Sequence, residues 1–182
     1  MARYKKINLK EYSKGLGNIG VFASYENNTF PKQICKRVTE NFKIIIFNLR
    51  DSLKEELAEI NLKKDYIYID NTKRTDIQHI KNVCQRQKET WEKFTIIIDF
   101  ENVVPYTEDE LHQLKSLSEV FGAYIMITTN LLNNTKKREY PTLRDLGNTD
   151  LVDIADKVVL SNNEEKQDIL AKNKFGKIGI IK

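Results

Sequence analysis

Cysteine and histidine are scarce: two of each in 182 residues. Cys35 and Cys84 both fall in helical patterns among Lys and Arg and form no close pair, which reads as two reduced structural thiols rather than a disulfide or a metal site. His79 and His112 lie far apart, with no ligand spacing around either. No Ser-His-Asp, Cys-His or paired-His arrangement is supported by two histidines so far apart, and a hydrolase chemistry that needs one is not expected. Glycine is also sparse, at positions 15, 17, 20, 122, 147, 176 and 179, and none of these begins the Gly-x-x-x-x-Gly-Lys-Ser/Thr loop whose backbone N–H groups wrap phosphates. There is no apolar run of eighteen residues to span a membrane. The basic start Met1-Ala2-Arg3-Tyr4-Lys5-Lys6 leads into Ile7-Asn8-Leu9-Lys10-Glu11 rather than the apolar core of a secretion signal, so a cytoplasmic location is expected. Internal repeats and low-complexity segments are missing too. Neither sign of charge dominates: 30 basic and 26 acidic residues leave +4, which permits a nucleic-acid or acidic-protein partner without demanding one. The densest basic run, Lys136-Lys137-Arg138, fits either a solvated loop or a contact to phosphate or acidic protein.

What remains is an ordinary soluble composition, 40% hydrophobic and 31% charged, in a chain of single-domain length: a basic arm over 1–14 and one domain over 15–182. Its centre is Phe94-Thr95-Ile96-Ile97-Ile98-Asp99-Phe100. Consecutive β-branched residues put apolar side chains on both faces of an extended segment, as in a central parallel strand covered on both sides. Asp99 then stands at the carboxyl edge, where open α/β sheets place ligands. A hydrophobic strand ending in Asp is the Walker B pattern of ATP-hydrolysing domains, which holds Mg²⁺, but it is equally how many buried strands cap the next loop. Further strands are expected at 19–24, 43–47, 66–69, 123–128, 157–160, 168–171 and 177–181. Helices are expected at about 31–41, capped by Asn28 or Thr29, at 51–60 and at 75–91. Another opens at the capping box Thr107-Glu108-Asp109-Glu110 and ends at Gly122, and the stretch 129–140 is expected to be a loop. Strands alternate with helices and then meet end to end, with Asn173-Lys174-Phe175-Gly176 turning the last pair. That pattern predicts an α/β fold: a parallel sheet extended by an antiparallel hairpin.

The succession Pro141-Thr142-Leu143-Arg144-Asp145-Leu146, Ala155-Asp156-Lys157-Val158-Val159 and Ala171-Lys172-Asn173-Lys174-Phe175-Gly176 resembles the C-terminal motor domain of the bacterial replicative helicases of the DnaB type. That family carries a Pro-x-Leu-x-Asp-Leu segment, an Ala-Asp-x-Val-Val strand and an Ala-Lys-Asn-Arg-x-Gly hairpin in this order. The likeness covers residues 15 to 182 and implies a RecA-like three-layer sandwich. It puts Asp99 at the Walker B position, makes Thr129-Asn130-Leu131 similar to the family's Ser-Gln-Leu segment, and makes Phe47-Asn48-Leu49-Arg50 similar to its Phe-Ser-Leu-Glu segment.

The departures from the family pattern concern catalysis. Where the phosphate loop belongs, Ser24-Tyr25-Glu26-Asn27-Asn28-Thr29-Phe30-Pro31 has no glycine and no lysine, and Glu26 would stand beside the triphosphate. Lys32 lies beyond Pro31. Arg50 replaces a Glu that activates the attacking water, and an arginine accepts no proton at neutral pH. Lys174 replaces an arginine that reaches the neighbouring subunit's ATP, keeping the charge but losing the planar fork. Each loss of this kind costs about 10³-fold or more in rate. The expectation is therefore a pseudo-ATPase with no cofactor and no catalytic residue, Asp99 being a remnant. Such a chain would act in DNA replication by binding a replicative helicase, related RecA-like subunits (a homo-oligomer included) or single-stranded DNA, without a membrane partner. Lys172, Lys174, Lys136, Lys137 and Arg138 are the expected contacts. The family's separate N-terminal domain has no counterpart in these residues, so its collar is not expected. Two alternatives stand beside this reading. One is a divergent motor that still binds ATP and Mg²⁺ through Thr29, Lys32, Asp99 and Asn130; the other is an interaction module of a mobile-element replication system without nucleic-acid contact.

Overall fold

The computed structural model describes residues 6–7, 17–25, 43–47, 66–72, 75–99, 106–132, 140–162 and 167–181. Among these, nine strands form one sheet: β1 (Lys6–Ile7), β2 (Ile19–Ser24), β3 (Lys43–Phe47), β4 (Ile67–Asp70), β5 (Phe94–Asp99), β6 (Tyr124–Asn130), β7 (Lys157–Asn162), β8 (Gln167–Asn173) and β9 (Gly179–Ile181). They lie in the order β1-β9-β8-β7-β2-β6-β5-β3-β4. Every pair from β7 across to β4 is parallel, β8 runs antiparallel to both β7 and β9, and β1 joins β9 in parallel. This is the mostly parallel sheet with a C-terminal antiparallel hairpin that the alternation of strands and helices predicts. Parallel neighbours require crossovers. Helices α1 (Ile77–Lys88), α2 (Glu108–Phe121) and α3 (Thr149–Ile154) provide those that lead into β5, β6 and β7. The helices expected at about 31–41 and 51–60, with Thr29, Lys32, Cys35, Arg50 and the Lys136-Lys137-Arg138 run, lie outside the described residues.

Local chemistry sets the helix ends. Asp76 takes the N-cap of α1, its side chain accepting the His79 N–H at 2.7 Å, so the helix begins at Ile77 and not at Thr75. In α2 the Thr107 side chain accepts the Glu110 N–H, and the Glu110 carboxylate takes the Thr107 N–H at 2.8 Å, the reciprocal box expected there. Gly122 closes α2 in the left-handed region at φ 60°, where a side chain would be strained. α3 and the 3-10 turn Leu143–Leu146 were not expected from the sequence, and β6 runs two residues past its expected end. A six-residue helix completes too few turns for its apolar period to show.

One face of the sheet carries Val21, Ile45, Phe47, Ile96, Ile98 and Ile127, packed in the core cluster with Ile80 and Val83 of α1, Leu111 and Leu114 of α2, and Leu151 and Ile154 of α3. The other face is buried as well. Ile44, Ile46, Ile97 and Met126 have almost no accessible surface, and Phe22, Val159 and Leu170 form a second cluster. β5 is thus the two-faced central strand predicted from its three isoleucines, each contributing roughly 2–3 kcal/mol by burial.

Candidate functional site

Because β2, β6, β5, β3 and β4 are parallel, their last residues line one edge: Ser24, Asn130, Asp99, Phe47 and Asp70. Register decides which of these share a face. Ser24 pairs with Asn130 and Asp99 with Thr128, and Thr128 and Asn130 are two apart on β6, so all four project on the same side. Asp99 is buried to 1% exposure, and its Oδ1 accepts the Thr128 hydroxyl at 3.3 Å. The Asn130 Oδ1 is a buried acceptor without a hydrogen-bond partner. This donor set, a carboxylate, an amide oxygen and two hydroxyls, is of the oxygen type that Mg²⁺ takes and offers no cation to a phosphate. Among the described residues, no group of three or more His, Cys, Asp and Glu is placed to hold a metal by itself.

On the opposite face of the same edge stands a pair that the sequence reading passed over. Asp70, at the end of β4, meets His79 Nε2 at 3.1 Å and accepts the Thr72 N–H at 2.9 Å, while the Phe47 ring lies edge-on to the imidazole at a centroid distance of 6.4 Å. Burial pushes the Asp70 carboxyl upward, but the bonds from Thr72 and His79 outweigh it and hold the group below the ordinary aspartate value. The signal was present: an Asp closing an apolar strand and a His in the first turn of the following helix.

The hairpin lysines lie at the other end of the sheet. β8 runs antiparallel to β7, so Lys172 pairs with Val158 and Asn173 with Lys157, at the amino edge. Six-residue strands put about 17–20 Å between that edge and Asp99. Lys172 Nζ donates to the carbonyl oxygens of Val152 and Asp153 at the end of α3. Lys174 Nζ lies 3.4 Å from Asp156 Oδ1, and Asp156 Oδ2 accepts the N–H groups of Asn18 at 2.7 Å and Ile19 at 3.3 Å. Gly17 must be glycine here: its φ is +72°, and a Cβ would sit 2.6 Å from that of Asp156. The Pro-x-Leu-x-Asp-Leu segment has a structural reason too. Buried Asp145 accepts the Thr142 N–H at 2.7 Å and its hydroxyl at 3.1 Å, and the Asp145 carbonyl takes the Leu132 N–H at 2.8 Å, fixing the exit from β6.

No family model matches the sequence, and no curated protein matches it. Solved structures do. An ATPase domain superposes with a TM-score of 0.75 at 13% identity, over 91% of this chain and 80% of that one. The structure of a DnaB-like replicative helicase, solved for its interactions with primase, superposes with 0.73 at 13% identity over 90% of this chain. The fold is RecA-like. Within the DnaB-like helicase this RecA-like unit spans 54% of the chain. The RecA-like fold explains why the sheet order brings Ser24, Asp99 and Asn130 to one edge and leaves Lys172 and Lys174 at the other. No described helix is long and apolar enough to cross a membrane.

Proposed function

We propose that this chain is a catalytically inactive relative of a replicative helicase motor: a pseudo-ATPase that acts in DNA replication by docking on a replicative helicase, on related RecA-like subunits or on single-stranded DNA. One mismatch carries the reading. The fold superposes on an ATPase domain with a TM-score of 0.75, yet the segment after β2, Ser24 to Pro31, holds neither glycine nor lysine. Phosphoryl transfer depends on positioning and charge neutralisation more than on covalent chemistry, so a motor without a cradle, with Arg50 where a base is needed, retains no useful turnover. Lys136, Lys137, Arg138, Lys172 and Lys174 are the contacts we assign to partner or DNA. Calorimetric titration with ATP and Mg²⁺ is expected to show neither tight binding nor turnover. Tight binding with hydrolysis that disappears in Asp99→Ala would overturn the reading. Co-purification with the host helicase is the expected partner result, and DNA binding, where it occurs, should weaken steeply with salt.

A second reading, a divergent motor with residual ATPase activity, is favoured by the buried Asp99 at the carboxyl edge and the unpartnered Asn130 oxygen on the same face of the sheet. The same titration separates the two.

A further inference from the structure

Resting on the reading of the β8–β9 hairpin as a contact surface, we propose that Asp156 restrains Lys174 within its own chain and so limits the hairpin's access to phosphate oxygens of a ligand. The two carboxylate oxygens of Asp156 are divided between two tasks. Oδ2 receives the N–H groups of Asn18 and Ile19, and Oδ1 faces the Lys174 ammonium at 3.4 Å. The main chain reinforces the pairing, since the Lys174 N–H donates to the Asp156 carbonyl at 2.9 Å and the Asp156 N–H to that of Ile19 at 2.8 Å. Lys172 is also turned inward, onto the carbonyls ending α3. Lys174 nevertheless keeps 60% of its side chain accessible, so a phosphate can reach it. Such a ligand must compete with a buried carboxylate that would lose its counter-charge. The hairpin cation is available only at the expense of its pairing with Asp156.

Asp156→Asn removes the charge while leaving an amide oxygen for the two N–H groups. In the full chain at low salt this variant is expected to bind phosphate ligands about two- to fivefold more tightly, the range an exposed ion pair supplies. Two probes separate the sources of phosphate: a fluorescein-labelled oligo-dT followed by anisotropy, and ATP with Mg²⁺ followed by calorimetry. A gain with either one, abolished in Asp156→Asn/Lys174→Gln, supports the restraint. A gain that survives the second substitution overturns it. If Lys174→Gln weakens binding but Asp156→Asn leaves it unchanged, the restraint falls and the contact surface stands. If neither substitution alters binding of either probe, the contact surface falls as well. Should the Asn variant not fold, amine-acylation footprinting of the unmodified chain decides: Lys174 should label more slowly than Lys177 at low salt and equally at high salt. Equal rates at low salt overturn the restraint.

Discussion

Asp156 holds together segments that are distant in sequence: the N–H groups preceding and opening β2, and the lysine that follows β8. Asp156→Ala strands two backbone donors, and a loss of about 2–4 kcal/mol is expected in denaturant unfolding. Burial raises the Asp156 carboxyl, but the Asn18 and Ile19 N–H groups with Lys174 outweigh it, and like Asp70 it titrates below the ordinary aspartate range. A carboxyl whose folded pKa is depressed stabilises fully above its unfolded value and loses that contribution as pH falls through the folded one. Thermal midpoints should therefore decline below about pH 4, and less steeply in Asp70→Asn. Cys84 is a separate case. It is fully buried against α1's neighbours, and burial pushes its thiol up to about 12. In a Cys35→Ser background, a thiol reagent should leave the folded protein unmodified and react once it is denatured; rapid labelling of the native state would refute the assignment.

At the level of elements, legibility followed the strength of local chemistry. The Thr107-Glu110 box and Gly122 marked both ends of α2 in the sequence, and the structure has them there. Thr107→Ala is expected to cost about 1 kcal/mol, read from chemical denaturation, because Glu110 loses its hydroxyl acceptor at the helix start. The capping role of Asp76 was hidden behind Thr75, which is also a cap former by residue type. α3 has a local cap, the Asn148 side chain taking the Leu151 N–H at 3.1 Å, but it is too short for a period to show and its far end is closed by Lys172 from another strand. No window of sequence shows a partner twenty residues away.

For the whole molecule, the strand pattern and the three C-terminal motifs were sufficient to anticipate the RecA-like sheet, and the superpositions agree. The candidate site was less legible, for a physical reason. Asp99, Thr128 and Asn130 could be placed by counting along strands, whereas the Asp70–His79 and Asp156–Lys174 pairs depend on which helix or hairpin folds back over a strand end. In the sequence Asp156 is one letter of a motif, with nothing beside it to show a role. Its work became visible only when β2 and β7 were seen side by side.

The middle of the sheet was written first and is completed last. β2 lies between β6 and β7, and β6 begins 100 residues after β2 ends (124 − 24). Until then a fully buried strand has no neighbour on either side, and its loops must be closed across long stretches of chain, which slows folding and leaves an aggregation-prone edge in the nascent protein. A fragment ending at residue 155 would lack β7 altogether and should be degraded by limited proteolysis at a rate close to that of unfolded chain. A protease-resistant core in that fragment would mean the remaining strands assemble without it.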